Sequence, residues 1–227
     1  MSHLHIPDGV LPAWLWGGGL AFALVALWVS TRATRNESSR SVAWRGALGG
    51  LVLAAMAVEL PLGPIEYHLS LVGPVGVLAG PAAAFQLVFV VSAILAFAGH
   101  GGFTVVGLNA LVLGSGAVIA RPTYSRLRMR FAPAAALALA TGVSQGVSGL
   151  MWIAVVAVAL RARPGAAGLG RVALLGGLAL PLWLAGVLIE CAVAFGLARF
   201  IARVRPDLLP TAAGIGALPA DRGSASR

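Results

Sequence analysis

The sequence has few charged residues, and this shortage decides the class of protein it encodes. Only 10% of its 227 residues are charged, whereas 59% are hydrophobic. A soluble globular domain carries about a quarter charged residues, and so apolar a chain could not cover itself with polar surface. The mean hydropathy of +0.93 agrees. We therefore predict a protein integral to a membrane.

Cysteine and several catalytic motifs are also scarce or missing. The single cysteine, Cys191, lies in an apolar run, which excludes a disulfide framework and predicts a buried structural thiol. The sequence has no Walker A motif, so the chain could not hydrolyse ATP by itself. It also lacks an HExxH helix, which argues against a metal-dependent membrane hydrolase.

The first apolar run lacks the features of a cleaved secretory signal. A signal peptide begins with positive charge and has an apolar core of about 7–15 residues. No Lys or Arg precedes this run, and residues 10–30 are long enough to span a bilayer. We expect a retained helix.

The net charge of +9 could indicate a nucleic-acid partner, but its distribution argues otherwise. The arginines form short clusters between apolar runs, which is typical of loops on the cytoplasmic side of a membrane. The clusters are Arg32, Arg35, Arg40 and Arg45; Arg121, Arg126, Arg128 and Arg130; and Arg199, Arg203 and Arg205. We expect a lipid bilayer around the protein and no nucleic acid bound to it.

Seven apolar segments predict an all-α integral membrane protein with about seven transmembrane helices. A spanning helix needs about 20 residues to cross about 30 Å of hydrocarbon. The third segment is too short and is rich in Gly and Pro, so we expect a short or broken helix that other protein covers. The segments are roughly 10–30, 46–61, 69–80, 82–98, 103–120, 133–160 and 172–203.

The arginine clusters predict an outer amino terminus and a cytoplasmic carboxyl terminus. Only the loop 161–171, which holds three arginines, violates this orientation. We expect one membrane domain over residues 1–205, with helices over 10–205, and a disordered cytoplasmic tail over 206–227. All four histidines then lie at the outer end of the protein: His3, His5, His68 and His100.

The N-terminal tip, residues 1–9, holds two of these histidines. Imidazole suits Ni, Cu, Zn and Co, and a planar nitrogen set selects Ni(II) or Cu(II). With a histidine at the second position, the terminal amine, one backbone nitrogen and the imidazole would give three coplanar nitrogens. With a histidine at the third position, the amine, two backbone nitrogens and the imidazole would fill the plane without a further ligand. Alternatively, His3 and His5 form only a polar interfacial start. Pro7 and Gly9 argue against this, because a rigid turn would fold the tip back onto the helices.

Three stretches form a recognisable pattern: HIPDGVLP from His5, HLSLVGPVGVLAGPAAAF from His68 and GHGGFTVVGLNAL from Gly99. Together they resemble the CbiM/NikM family, the cobalt/nickel substrate-capture components of energy-coupling-factor transporters. The resemblance runs in register from His5 to about Arg130. It implies a seven-helix protein that captures a divalent ion from outside, with Co(II) or Ni(II) as its transported substrate and no catalytic cofactor.

The resemblance also implies partners and ligands. A membrane-embedded coupling component and two cytoplasmic ATPases would drive release inward, with or without a small accessory membrane subunit. The family's terminal amine and motif histidine bind the metal together with a loop histidine. The motif histidine matches His5, and the loop histidine matches His68. In the family the motif histidine directly follows the initiator methionine, whereas three residues precede Leu4 here.

This departure leaves the source of the terminal amine open. If Met1 is retained, His3 is the third residue of the protein. If Met1 is removed, Ser2 supplies the terminal amine and His3 becomes the second residue. If translation begins at the codon now read as Leu4, the product matches the family and His5 is second. The candidate metal ligands are therefore Met1, Ser2, His3, His5 and His68.

Further polar residues are candidates for supporting roles. The family commonly has Asp where this chain has His100, which is either an added ligand or only an outer-face histidine. Asn109 is expected to support a metal ligand by a hydrogen bond, and Asp8 either orients His5 or, as we favour, caps the first helix. An ionisable residue within a membrane helix suggests a function; the role of Glu190 stays open, with an arginine of another subunit as one candidate partner. A non-transporting scaffold subunit would gain nothing from the clustered histidines.

Overall fold

A computed structural model describes residues 6, 8–9, 11–56, 59–62, 65–99, 101–161 and 169–211. This part of the chain holds seven α-helices, which confirms the predicted fold class. They are α1 (Ala13–Ala33), α2 (Ser39–Met56), α3 (Val72–Ala79), α4 (Pro81–Phe97), α5 (Val106–Leu127), α6 (Pro133–Arg161) and α7 (Leu169–Val204).

The main departure from the predicted segments lies after α2. The second apolar segment was expected to continue to residue 61, but the helix ends at Met56. Two short antiparallel strands follow, β1 (Glu59–Leu62) and β2 (Ile65–His68), with Glu59 opposite His68. The run ELPLGPIEYH contains two prolines, which disfavour the continuation of a helix, although the run is apolar enough to resemble one.

The third helix is short, as predicted, and its boundaries have local causes. Leu71 precedes α3 in the left-handed region, with φ 51°, and Gly80 ends it with φ 84°. Pro81 then occupies the first turn of α4, where its missing N–H is not needed. Gly73 lies so close to α6 that an added Cβ would be 2.6 Å from Thr141 Oγ1. Thr141 lies in the first half of α6, so α3 contacts that half of the helix.

The central helix of the described bundle is α5, which packs against α1, α3, α4 and α6. More than half of its apolar window is buried (56%), against 17% for α1, whose large side chains face outward. Four of the described helices are long and apolar enough to cross a membrane: α1, α5, α6 and α7. The shorter α4 is also apolar.

The chain after α7 remains in contact with the helices for a few residues. A 3₁₀ turn covers Pro206–Leu208, and Leu209 is buried in the cluster that also holds Leu48 and Val75. Residues 212–227 lie outside the described part, as does most of the arginine-containing loop. The boundary between the membrane domain and the tail stays a prediction, and so does the orientation of the chain in the membrane.

Candidate metal centre

The described part of the N-terminal tip is docked into the helices. Ile6 is 3% exposed and packs in an apolar cluster with Leu11, with Val105 and Leu108 around the start of α5, and with Val155 near the end of α6. The turn-forming sequence after the histidines thus folds the chain back onto the bundle, as the sequence predicted.

Asn109 fixes the backbone of the tip at Ile6. Its Oδ1 accepts a hydrogen bond from Ile6 N at 2.9 Å, and its Nδ2 donates to Ile6 O at 3.4 Å. Gly102 N also donates to Ile6 O, at 3.2 Å. Asn109 is 2% exposed, so these bonds are protected from competing water. They hold the backbone of Ile6, the residue that directly follows His5; support of a metal ligand by Asn109 stays a prediction.

Asp8 binds the turn that precedes α5. Its Oδ2 accepts from Phe103 N at 2.8 Å, while its Oδ1 accepts from Thr104 N at 2.8 Å and Thr104 Oγ1 at 2.5 Å. The Thr104 hydroxyl, with the two backbone amides, lowers the pKa of Asp8 below its ordinary value. The expectation that Asp8 caps the first helix is wrong, because α1 begins after Pro12 without a side-chain cap.

A glycine makes this contact possible. A Cβ added to Gly102 would be 2.6 Å from both Asp8 N and Asp8 Oδ1. Only a residue without a side chain lets the tip approach the turn this closely. Gly102, the last residue of the GHGG stretch, is therefore part of the surface on which the tip docks.

His68, the last residue of β2, is 5% exposed. Its Nδ1 lies 2.7 Å from the carbonyl oxygen of Met56, the last residue of α2. A carbonyl oxygen can only accept, so Nδ1 carries a proton, and Nε2 is the nitrogen that a metal would bind in the neutral ring. Metal-binding histidines are commonly held in this way. The sequence predicted His68 but not Met56, because the reversal of the chain between them was not foreseen.

Glu190 has its partners within this chain. On α7 it is 0% exposed, and its carboxylate accepts hydrogen bonds from Ser70 N and from Leu71 N, the latter at 3.2 Å. Because the side chain is fully buried, the candidate pairing with an arginine of another subunit is wrong. Its position inside an apolar helix was the only sequence signal that it mattered.

The described residues do not include a complete metal site, and several predicted site residues lie outside them. Among the described residues, no three His, Cys, Asp or Glu side chains form a group able to hold a metal ion. Cys191 is partly rather than fully buried, facing Gly142. The predicted residues that lie outside the described part are Met1, Ser2, His3, His5 and His100.

The fold and this docked tip define a multi-pass membrane protein with a polar site built around its N-terminal segment. Residues 5–208 match the family CbiM, described as the cobalt uptake substrate-specific transmembrane region, and the chain belongs to this family. It is thus a substrate-specific transmembrane component of cobalt uptake and not an enzyme, which confirms the resemblance and excludes a membrane hydrolase and a scaffold.

Known proteins agree with this assignment. A putative metal transport protein of Haemophilus influenzae is 31% identical over 151 residues, which are 65% of this chain and 69% of the relative. A solved structure described as a transition metal transporter has a TM-score of 0.72 at 17% identity, over 88% of this chain and 93% of the other. A truncated transition metal transporter has the same score and identity and is covered over 98% of its length. At this identity both structures support the fold alone.

Proposed function

We propose that this chain captures Co(II) or Ni(II) at the outer face of a prokaryotic cytoplasmic membrane. The ligands are the terminal amine, a tip histidine and His68. The tip backbone after His5 is held by Asn109, and the contact of His68 Nδ1 with Met56 O leaves Nε2 as the nitrogen that binds the metal when the ring is neutral. This second contact carries the proposal, because it sets the tautomer that a metal ligand needs.

The choice between the two ions follows from the number of nitrogen ligands. Four coplanar nitrogens suit Ni(II) better than Co(II), although Co(II) tolerates them, while the family is described by cobalt uptake. Competition between the ions on chelator-treated protein measures this preference directly.

Transport in this proposal needs partners. A membrane-embedded coupling component and two cytoplasmic ATPases supply the energy, with or without a small accessory subunit, because the chain has no nucleotide-binding motif. The purified chain in liposomes should therefore not accumulate metal against a gradient. Accumulation without partners would contradict this part of the proposal.

His68→Ala tests the site itself. We expect it to weaken Ni(II) binding by more than the roughly 10–100-fold that loss of a supporting residue typically causes, with folding retained. Titration of chelator-treated protein in detergent measures this. Ser92→Ala is the matched control, because Ser92 is buried on α4 and its hydroxyl has no hydrogen-bond partner among the residues that the structure describes. Wild-type affinity in His68→Ala would overturn the proposal.

A blocked terminus tests the amine. Intact-mass spectrometry of protein from the native host first identifies the terminal residue. Acetylating it, or adding one residue before it, should then remove most of the metal affinity. If a blocked terminus binds metal as well as the free one, the amine is not a ligand.

A further inference from the structure

A carboxylate lies deep within the bundle, in the part of α7 that faces the start of α3. Glu190 is 0% exposed, although a buried ionisable group in a membrane helix is expensive unless it is fully paired. The capture chemistry proposed above gives it no role as a ligand. Its hydrogen bonds show which part of the chain it acts on.

Glu190 binds the junction between β2 and α3. Its Oε1 accepts from Ser70 N and its Oε2 accepts from Leu71 N at 3.2 Å. These two N–H groups come just before α3, where backbone donors lack partners within the helix and the helix dipole favours negative charge. Leu71 has φ 51°, a conformation that a non-glycine residue keeps only when its surroundings impose it.

The same junction is held from α6. Gln145, 4% exposed, donates from Nε2 to Ser70 Oγ at 2.7 Å. Ser70 Oγ in turn lies 3.4 Å from Val72 N and accepts from it. Ser70 therefore joins α6 and α7 to the first turn of α3.

The residue that precedes His68 in the chain also contacts α7. The ring of Tyr67 lies directly against Gly186, where an added Cβ would overlap the ring. Gly186 is one helical turn before Glu190, so one face of α7 contacts the chain immediately before and shortly after His68. Met56 holds the imidazole itself. We call residues 67–71 the His68 segment.

We propose that Glu190 is a positioning residue for metal capture: it fixes the backbone of the His68 segment, and thereby the place where His68 presents Nε2. This inference rests on the proposed role of His68 as a ligand. Glu190 touches no metal. Its two oxygens accept from two adjacent N–H donors, an arrangement that the single acceptor oxygen of a glutamine side chain does not reproduce.

Glu190→Gln is the sharpest variant, because it keeps the size of the side chain. The amide has one acceptor oxygen, and its NH₂ group would face a backbone N–H. We expect Ni(II) affinity to fall by roughly 10–100-fold, the usual range for residues that orient a ligand. The visible absorption band of bound Ni(II) should shift toward that of His68→Ala, because a planar site changes its spectrum when one nitrogen is misplaced.

The double variant separates positioning from general destabilisation. If Glu190 acts through His68, then His68→Ala with Glu190→Gln should bind metal no more weakly than His68→Ala alone, since coupled residues are not additive. Ser92→Ala, another buried polar substitution in the bundle, should leave affinity and spectrum unchanged. A wild-type affinity and spectrum in Glu190→Gln, or additive losses in the double variant, would overturn the inference.

Two further outcomes are distinguishable. If His68→Ala binds normally, the proposed capture site fails before Glu190 is considered. If Glu190→Gln does not fold, Glu190→Asp keeps both oxygens on a shorter side chain and should show the same spectral shift with a smaller loss of affinity. An unshifted spectrum in Glu190→Asp then overturns the inference.

Discussion

The N-terminal tip and the His68 segment are held by different kinds of contact. The tip is bound mainly by one stretch of chain, the turn before α5 and its first residues, and part of that contact is exposed to solvent at Asp8. The His68 segment is buried and is held from α2, α6 and α7 together. The tip should therefore respond strongly to single changes on α5, whereas the His68 segment depends on the packing of the whole bundle.

The largest effect on the tip is expected from Asn109→Leu. It removes the acceptor of Ile6 N in a buried site, and an unpaired buried N–H costs about 1–3 kcal/mol. The tip should detach or shift, and Ni(II) affinity should fall by roughly 100-fold. Titration and thermal unfolding measure the two consequences. Unchanged affinity would mean that the tip contributes no ligand or docks without Asn109.

A smaller loss is expected from Gly102→Ala. The added methyl would stand 2.6 Å from the Asp8 backbone and carboxylate, so the tip must move away, and we expect about a tenfold loss of Ni(II) affinity. Gly146→Ala is the matched control, because a Cβ there meets nothing within 4 Å. Equal affinities for the two variants would contradict a close approach of the tip to this turn.

The smallest effect is expected from Asp8→Asn, since the site is exposed. Hydrogen bonds from Thr104 and Phe103 lower the pKa of Asp8 in the folded protein. Its stabilising contribution is therefore complete above the unfolded value of about 3.9 and is lost as pH falls through the lower folded value. Metal-free protein should show protection of the Phe103 and Thr104 amides from hydrogen exchange that weakens at acid pH. Asp8→Asn should reduce that protection already at neutral pH and lower Ni(II) affinity only severalfold. Wild-type protection in the variant would contradict this.

Sequence reasoning found the helices and most of the important polar residues, but not their partners. Hydropathy reports local burial, so it located the seven helices, and the Gly and Pro residues around α3 predicted its short length. The strands after Met56 were missed because their residues are apolar enough to be read as the end of the preceding transmembrane helix. Asp8 and Glu190 were singled out with the wrong partners, because their contacts join residues about a hundred positions apart, and no local pattern encodes such a distance.

The short α3 has a consequence for how the protein is made. The backbone N–H groups of Ser70 and Leu71 just before it are buried in the bundle, and an unsatisfied group where neither water nor lipid offers an acceptor costs several kcal/mol. Their acceptor, Glu190, lies on α7, which leaves the ribosome after the first six helices. The contacts that hold the His68 segment therefore cannot be completed during synthesis of those six helices, and the chain acquires them only when α7 joins the bundle.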